Sequence, residues 1–167
     1  MDIKVMRKVR KFAIKHARKD EFSIHGVDHW DRVANYGLGI APPEADLDVV
    51  LCFAYLHDVE RQNEGYDEEH GPRAAALIDQ IRDSVLTFLN DGQIRLLKEA
   101  CALHTKCHKT GNPTIDACFD SDRLDLSRVG ITPDPNKMAT KKGIEKARAF
   151  NDYRKIGLGC KEEHSNR

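Results

Sequence analysis

No apolar run in this 167-residue chain approaches the roughly 20 residues that a bilayer-spanning helix needs. The opening Met1-Asp2-Ile3-Lys4 lacks the apolar stretch of a signal peptide. Strand signals are nearly absent as well. No run of alternating β-branched residues stands between turn dipeptides, which argues against a β domain. There is no internal repeat and no low-complexity segment. Net charge is also missing, because 27 Lys+Arg balance 27 Asp+Glu. That balance removes any whole-protein attraction to nucleic acid or to an anionic membrane. The five cysteines, Cys52, Cys101, Cys107, Cys118 and Cys160, are odd in number and lack paired spacing. They read as reduced, mostly buried thiols, and the expected location is the cytoplasm.

What is present is helical periodicity. At this length the chain is expected to form one domain, 1–167, around one core. Hydrophobic residues at 40% and charged residues at 32% describe a folded, globular protein. Val5, Val9, Phe12, Ala13 and His16 keep helical spacing over about 2–19. This first helix is basic, with Lys4, Arg7, Lys8, Arg10, Lys11, Lys15, Arg18 and Lys19, and reads as a solvated face or a phosphate-binding stripe. A second helix runs from about Val27 to Leu38, with Trp30, Val33 and Ala34 on one face. Gly37, Gly39, Pro42 and Pro43 mark a loop. Asp46 or Asp48 can cap a third helix through Val49, Val50, Cys52, Phe53, Ala54 and Leu56. That helix is apolar nearly all round and belongs at the centre of the domain.

Arg61 to Glu69 reads as an exposed loop. Helices follow over about Pro72–Leu89, Gln93–Lys106 and Thr114–Val129. Asn90-Asp91-Gly92 reads as a turn, Gly111-Asn112-Pro113 as a break, and 130–135 as a loop. Thr140 can cap a last helix through Ile144, Ala147, Phe150 and Tyr153. The tail over about 157–167 is expected to fray. The fold class expected is therefore all-α, a single-domain bundle of about six to seven helices.

The central helix ends in His57-Asp58. Two polar groups at the end of the most buried helix are costly unless something satisfies them, and a metal does so. With His29 and Asp122 they form a mixed set of two imidazoles and two carboxylates. Such a set suits Mn, Fe, Co, Ni or Zn, whereas Mg prefers all-oxygen ligation. Four ligands leave positions open for water and a substrate oxygen, so the order His…His-Asp…Asp points to metal-assisted hydrolysis.

Four segments in this order resemble the HD-domain metal-dependent phosphohydrolases. His25-Gly26-Val27-Asp28-His29-Trp30-Asp31-Arg32-Val33 resembles the family's first motif. Ala45-Asp46-Leu47-Asp48 leading to Ala54-Tyr55-Leu56-His57-Asp58-Val59 is similar to the segment that names it. Glu69-His70-Gly71-Pro72-Arg73-Ala74-Ala75 resembles the start of the following helix, and Asp120-Ser121-Asp122-Arg123-Leu124-Asp125 the late Asp motif. The resemblance covers roughly 22–147. It implies that His29, His57, Asp58 and Asp122 are the metal ligands, inside an all-α bundle. In binuclear members of the family, extra histidines between the His-Asp pair and the late Asp hold a second metal. Here His70 and His104 stand in such places, but the adjacent histidines of the strongest binuclear examples are missing. One divalent metal is expected, with a second left open.

The other candidates divide between site and surface. His25 can serve the substrate or support a ligand, or sit in the preceding turn. His70 opens a helix, where backbone amides favour anions, or it is a capping residue. His104 lies on an amphipathic face and is either a core histidine or part of the active site. Arg32, Arg73, Lys106 and Arg123 are phosphate-binding candidates, each with a surface ion pair as the alternative. Asp28, Asp31 and Glu60 flank the ligands and can orient a ligand histidine. Cys101, His104, Cys107 and His108 offer a competing zinc motif, but Cys107 points off the shared face.

The function expected is hydrolysis of a phosphate ester or anhydride, with a nucleotide or small phosphorylated metabolite as substrate. Asp58 or Asp122 would orient the attacking water. His70, His104, Lys106 or Arg123 would offset charge in the transition state. One alternative is a non-catalytic metal- or nucleotide-binding module that acts through a protein partner on the basic first helix. Another is oxygen chemistry on two irons, as in some proteins of the fold. Oligomerisation leaves no signature in the sequence.

Overall fold

The computed structural model describes residues 3–18 and 23–162, with side chains over 6–18 and 23–152. Lys4, Lys19, Tyr153 and Cys160 therefore have no described side chain. Among the described residues there are seven α-helices and no strand. They are α1 (Ile3–His16), α2 (Val27–Ile40), α3 (Leu47–Leu56), α4 (His70–Ile81), α5 (Asp91–Leu103), α6 (Pro113–Leu124) and α7 (Lys141–Glu162). Two short 3₁₀ segments, Asp125–Val129 and Pro135–Lys137, lie between α6 and α7. None of the helices is long and apolar enough to cross a membrane.

Helix α3 is the axis of the bundle. Every residue from Val49 to Leu56 is buried, and α1, α2, α5 and α6 all pack against it. Its start is set by Asp46, whose carboxylate accepts from the amides of Asp48 and Val49 at 3.0 and 3.2 Å. Those amides have no partner inside the helix. Phe53, Leu56, Ile78, Leu97, Ile115 and Phe119 fill the main core. A smaller cluster of Ile40, Leu124, Met138 and Ala147 seats α7.

Five boundaries differ from the sequence expectation. Helix α2 runs through Gly37 and Gly39 to Ile40. Gly37 is needed there, since a Cβ would stand 2.6 Å from Val50 Cγ1. Helix α4 stops at Ile81 rather than Leu89. Val85, Leu86 and Leu89 keep their apolar spacing but are buried from turns. Asn90 is not in a free turn: it caps α5 in a capping box with Gln93. Helix α6 gives way to a 3₁₀ turn at Asp125. Thr140 does cap α7, its Oγ1 accepting from the Gly143 amide at 3.0 Å. Helix α7 is continuous past Gly157 and Gly159 to Glu162, and residues 163–167 of the expected tail lie outside the described residues.

Candidate metal centre

Three elements converge at one end of α3. His29 comes from the first turn of α2, His57 and Asp58 follow the last turn of α3, and Asp122 comes from the last turn of α6. His29 and His57 are fully buried, Asp58 nearly so, and the Asp122 side chain is 21% exposed. His29 Nε2 lies 3.2 Å from His57 Nε2, 3.6 Å from Asp58 Oδ2 and 3.4 Å from Asp122 Oδ1. His57 Nε2 lies 3.5 Å from Asp58 Oδ2 and 3.6 Å from Asp122 Oδ1. Ligands bound at about 2.1 Å stand roughly 3.0 Å apart at a right angle and roughly 3.4 Å apart at a tetrahedral one. Each of the two imidazole nitrogens thus already stands from the other, and from both carboxylate oxygens, at the spacing of a coordination shell.

The protons on the rings sharpen the point. His57 Nδ1 donates to the Phe53 carbonyl at 3.0 Å, because a carbonyl can only accept. His29 Nδ1 donates to Asp125 Oδ2 at 2.8 Å. In their neutral forms both rings therefore turn Nε2 lone pairs on one another. Only a proton or a cation makes that arrangement attractive. Burial pulls the His29 pKa down, but Asp122 and Asp125 outweigh it and hold it above the usual histidine value. Burial likewise raises Asp58 and Asp122, yet both end well below the usual carboxylate range. His57, His25 and His70 hold Asp58 down, and His29 and His57 hold Asp122 down. Both carboxylates are thus ionised and ready to ligate.

Asp58 has a second face. Its Oδ1 lies 3.1 Å from His70 Nε2 and 3.9 Å from His104 Nε2, and these two nitrogens are 2.9 Å apart. His70 Nδ1 donates to the Asp67 carbonyl and His104 Nδ1 to the Cys101 carbonyl. The pattern of the first pair repeats: two more Nε2 lone pairs face each other across a carboxylate oxygen. Burial, followed by the nearby His57, lowers the His104 pKa to about 4, so the ring is neutral. A neutral ring turns a lone pair, not a charge, toward His70 and Asp58. Helices α4 and α5 come this close only because residue 71 is glycine. A Cβ there would collide with the Cys101 carbonyl oxygen.

The remaining candidates are dispersed. His25 Nδ1 stands 2.9 Å from Asp58 Oδ2, at the edge of the cluster. Arg32 is not a free phosphate ligand, because it grips Asp125 through Nε and Nη2 at 2.7 and 3.1 Å. Arg73 donates to the Glu60 carbonyl and to Asp67, tying down the 60–67 loop. Arg123 is committed to backbone carbonyls, with Asp120 Oδ1 4.0 Å from its Nη1. Its guanidinium donates to the carbonyls of His104, Cys107, His108 and Lys137, which occupies it at the end of α5. Lys106 remains at the surface, 3.7 Å from Glu69. The rival zinc motif does not assemble: His104 faces His70, His108 is exposed, and the Cys107 thiol donates to the Lys109 carbonyl. None of Asp28, Asp31 or Glu60 orients a ligand histidine. Asp31 pairs with Arg10 and Glu60 with His16, while Asp28 is exposed.

Sequence reasoning missed two residues here. Asp125 fixes the His29 tautomer, and Arg61 donates from Nε to Asp58 Oδ1 at 3.0 Å. Asp125 lay within the late motif, but its role depends on the 3₁₀ turn that swings it back toward α2. Arg61, placed in an exposed loop, is only three residues from Asp58, a spacing that could have flagged it.

No protein-family model and no curated protein matches the sequence. Among solved structures, the chain is similar to a predicted HD superfamily hydrolase from an uncultured Thermotogales bacterium. The identity is 20%, over 93% of this chain and 88% of that one, with a TM-score of 0.71. An all-α bundle of matching architecture, with a His/Asp cluster that could hold a metal at its centre, gives this chain the HD-domain fold.

Proposed function

We propose that this chain is a metal-dependent phosphohydrolase of the HD superfamily. It would cleave the phosphate ester or anhydride of a small metabolite, with nucleotides as the leading class. The observation that carries the reading is the 3.2 Å approach of His29 Nε2 and His57 Nε2, flanked by two ionised carboxylates. The donor set fits a divalent Mn, Fe, Co, Ni or Zn ion better than Mg. His29, His57, Asp58 and Asp122 would hold it. His70, His104 and Asp58 Oδ1 supply a second position with the same electronic character, which the sequence left open.

When bound, such an ion polarises a phosphoryl oxygen and lowers the pKa of water. The chain's own groups do the rest. Asp122, the most exposed of the four ligands, orients the attacking water. Asp125 keeps the His29 ring fixed, as supporting carboxylates do around metal-bound histidines. His25, at the edge of the cluster, is placed to pass a proton to the departing oxygen. Water adds at phosphorus, the bond to the leaving oxygen breaks, and an alcohol or a second phosphate departs with the proton.

The test is elemental analysis of the purified protein, followed by phosphate release from nucleotides and phosphomonoesters with Mn, Co, Ni and Mg added singly. The Asp58→Ala variant runs alongside. Metal-dependent release that is lost in the variant is the expected result. A stoichiometric metal without turnover on any substrate would overturn the hydrolase reading.

A further inference from the structure

The metal centre opens onto a cleft of about 420 Å³, a volume in the range of small-molecule sites. Asp58 and His25 form its inner end. Ile14 projects from α1 and Ala17 follows that helix, Trp30 comes from α2 next to His29, and Val59 follows the His-Asp pair. These four make an apolar surface leading directly away from the carboxylate that touches both histidine pairs.

The charges around the cleft cancel. Arg18 and Arg61 face Glu64 and Asp58. Each guanidinium is already engaged, Arg61 on Asp58 and on the Gly65 carbonyl, Arg18 on the Gln62 carbonyl. Glu64 accepts from Ser23 Oγ and the Ile24 amide. A carbonyl does not neutralise a guanidinium, so Arg18 keeps its charge at the exposed rim. Away from that rim the contact a bound group makes is with apolar area, at about 25 cal/mol per Å² buried. The Trp30 indole N–H is buried with no acceptor among the described residues.

We infer that this cleft receives the leaving group of a phosphomonoester, and that the group is apolar and of ring size or larger. Ile14, Ala17 and Trp30 would set that preference, and the basic helix α1 would contribute its apolar side as the substrate wall. The inference rests on the phosphohydrolase reading and deepens it.

Trp30 is the only tryptophan in the chain, so intrinsic fluorescence reports on this wall directly. The experiment titrates metal-loaded protein with phenylphosphonate and with methylphosphonate. Both carry a C–P bond that cannot be hydrolysed, so binding is read without turnover. Calorimetry supplies the Kd values, and Trp30 emission reports where the ring sits. Phenylphosphonate is expected to bind at least about tenfold tighter and to shift Trp30 emission, with methylphosphonate leaving it unchanged. Ile14 is 42% exposed, so Ile14→Glu can be made without emptying the core. It should reduce the preference to about twofold. Equal affinity for the two phosphonates, or tight phenylphosphonate binding with no Trp30 response, overturns the cleft assignment and leaves the phosphohydrolase reading standing. Binding of neither phosphonate overturns both.

Discussion

Asp120 and Asp122 stand two residues apart on α6, so about 200° separates them around the helix axis. Each is set in the protein interior, and their partners differ in kind. Asp120 faces the start of α7, accepting from the amides of Ala139 and Thr140 at 2.9 and 2.7 Å and from Thr140 Oγ1 at 2.7 Å. Gly143 keeps that approach open, because a Cβ would collide with the Asp120 carboxylate. Asp122 faces the bundle centre, where its neighbours are two imidazole nitrogens whose rings already spend a proton elsewhere. Burial raises the Asp120 pKa, whereas His29 and His57 hold Asp122 far down. Fixed amide dipoles complete a carboxylate within the fold. A carboxylate completed only by shared lone pairs and protons calls for a cation.

The largest expected effect breaks the Asp122 side of this comparison. Asp122→Asn keeps the shape and removes the charge. Metal content should fall below stoichiometry, and metal-dependent phosphate release should drop by roughly 10³-fold. Urea unfolding of the metal-free protein should become somewhat easier, because the depressed Asp122 pKa marks a charge that the fold stabilises. Asp120→Ala should differ from it at the metal. Two amides and a hydroxyl lose their acceptor, at a cost of about 2–4 kcal/mol in urea unfolding, while the metal content stays at the wild-type value. If Asp120→Ala also emptied the metal site, the two faces of α6 would not be independent.

Asp125→Asn sharpens the comparison from the metal side. Asp125 ligates nothing, yet it accepts from His29 Nδ1 and is clamped by Arg32. Loss of such a supporting carboxylate lowers metal affinity by about 10–100-fold. Competition with a chelator would measure the drop. An unchanged affinity would mean that packing alone fixes the His29 ring.

The candidate ligand cluster was legible in the sequence because of a local contradiction. His57 and Asp58 close a helix that is otherwise apolar on every face, and a sequence tolerates that only where something compensates. The roles of the arginines were not legible, because a guanidinium beside a carboxylate in the chain need not meet it in space. Arg123 follows Asp122, but one residue is about 100° of helix, and it turns to the carbonyls that end α5 instead. Arg32, a phosphate candidate with an ion pair as its alternative, forms the ion pair, and its partner Asp125 lies 93 residues away. The overlong α4 has a similar origin. Val85, Leu86 and Leu89 carry the apolar spacing onward, and spacing alone does not separate a helix from buried turns.

The smallest effect concerns a third aspartate, Asp31, whose partner is a full charge near solvent. Arg10 Nε and Nη2 donate to it at 2.8 and 2.7 Å, and the Tyr55 hydroxyl adds a bond at 3.2 Å. The pair ties α1 to α2, but more than a third of each side chain is exposed. An exposed pair is worth about 0.2–1 kcal/mol, so Asp31→Asn should cost about half a kcal/mol at pH 7. The sign with pH follows from the direction of the shift. The hydrogen bond from Arg10 lowers the Asp31 pKa below its ordinary value of 3.8, so the folded state binds that proton less readily than the unfolded state. Its contribution is complete above pH 3.8 and fades as pH falls through the lower folded value. Urea unfolding of wild type and Asp31→Asn should therefore differ at pH 7 and converge as pH is taken below 3.8. A difference that survived acidification would show that α1 is held by its packing on α3, with the ion pair contributing nothing measurable.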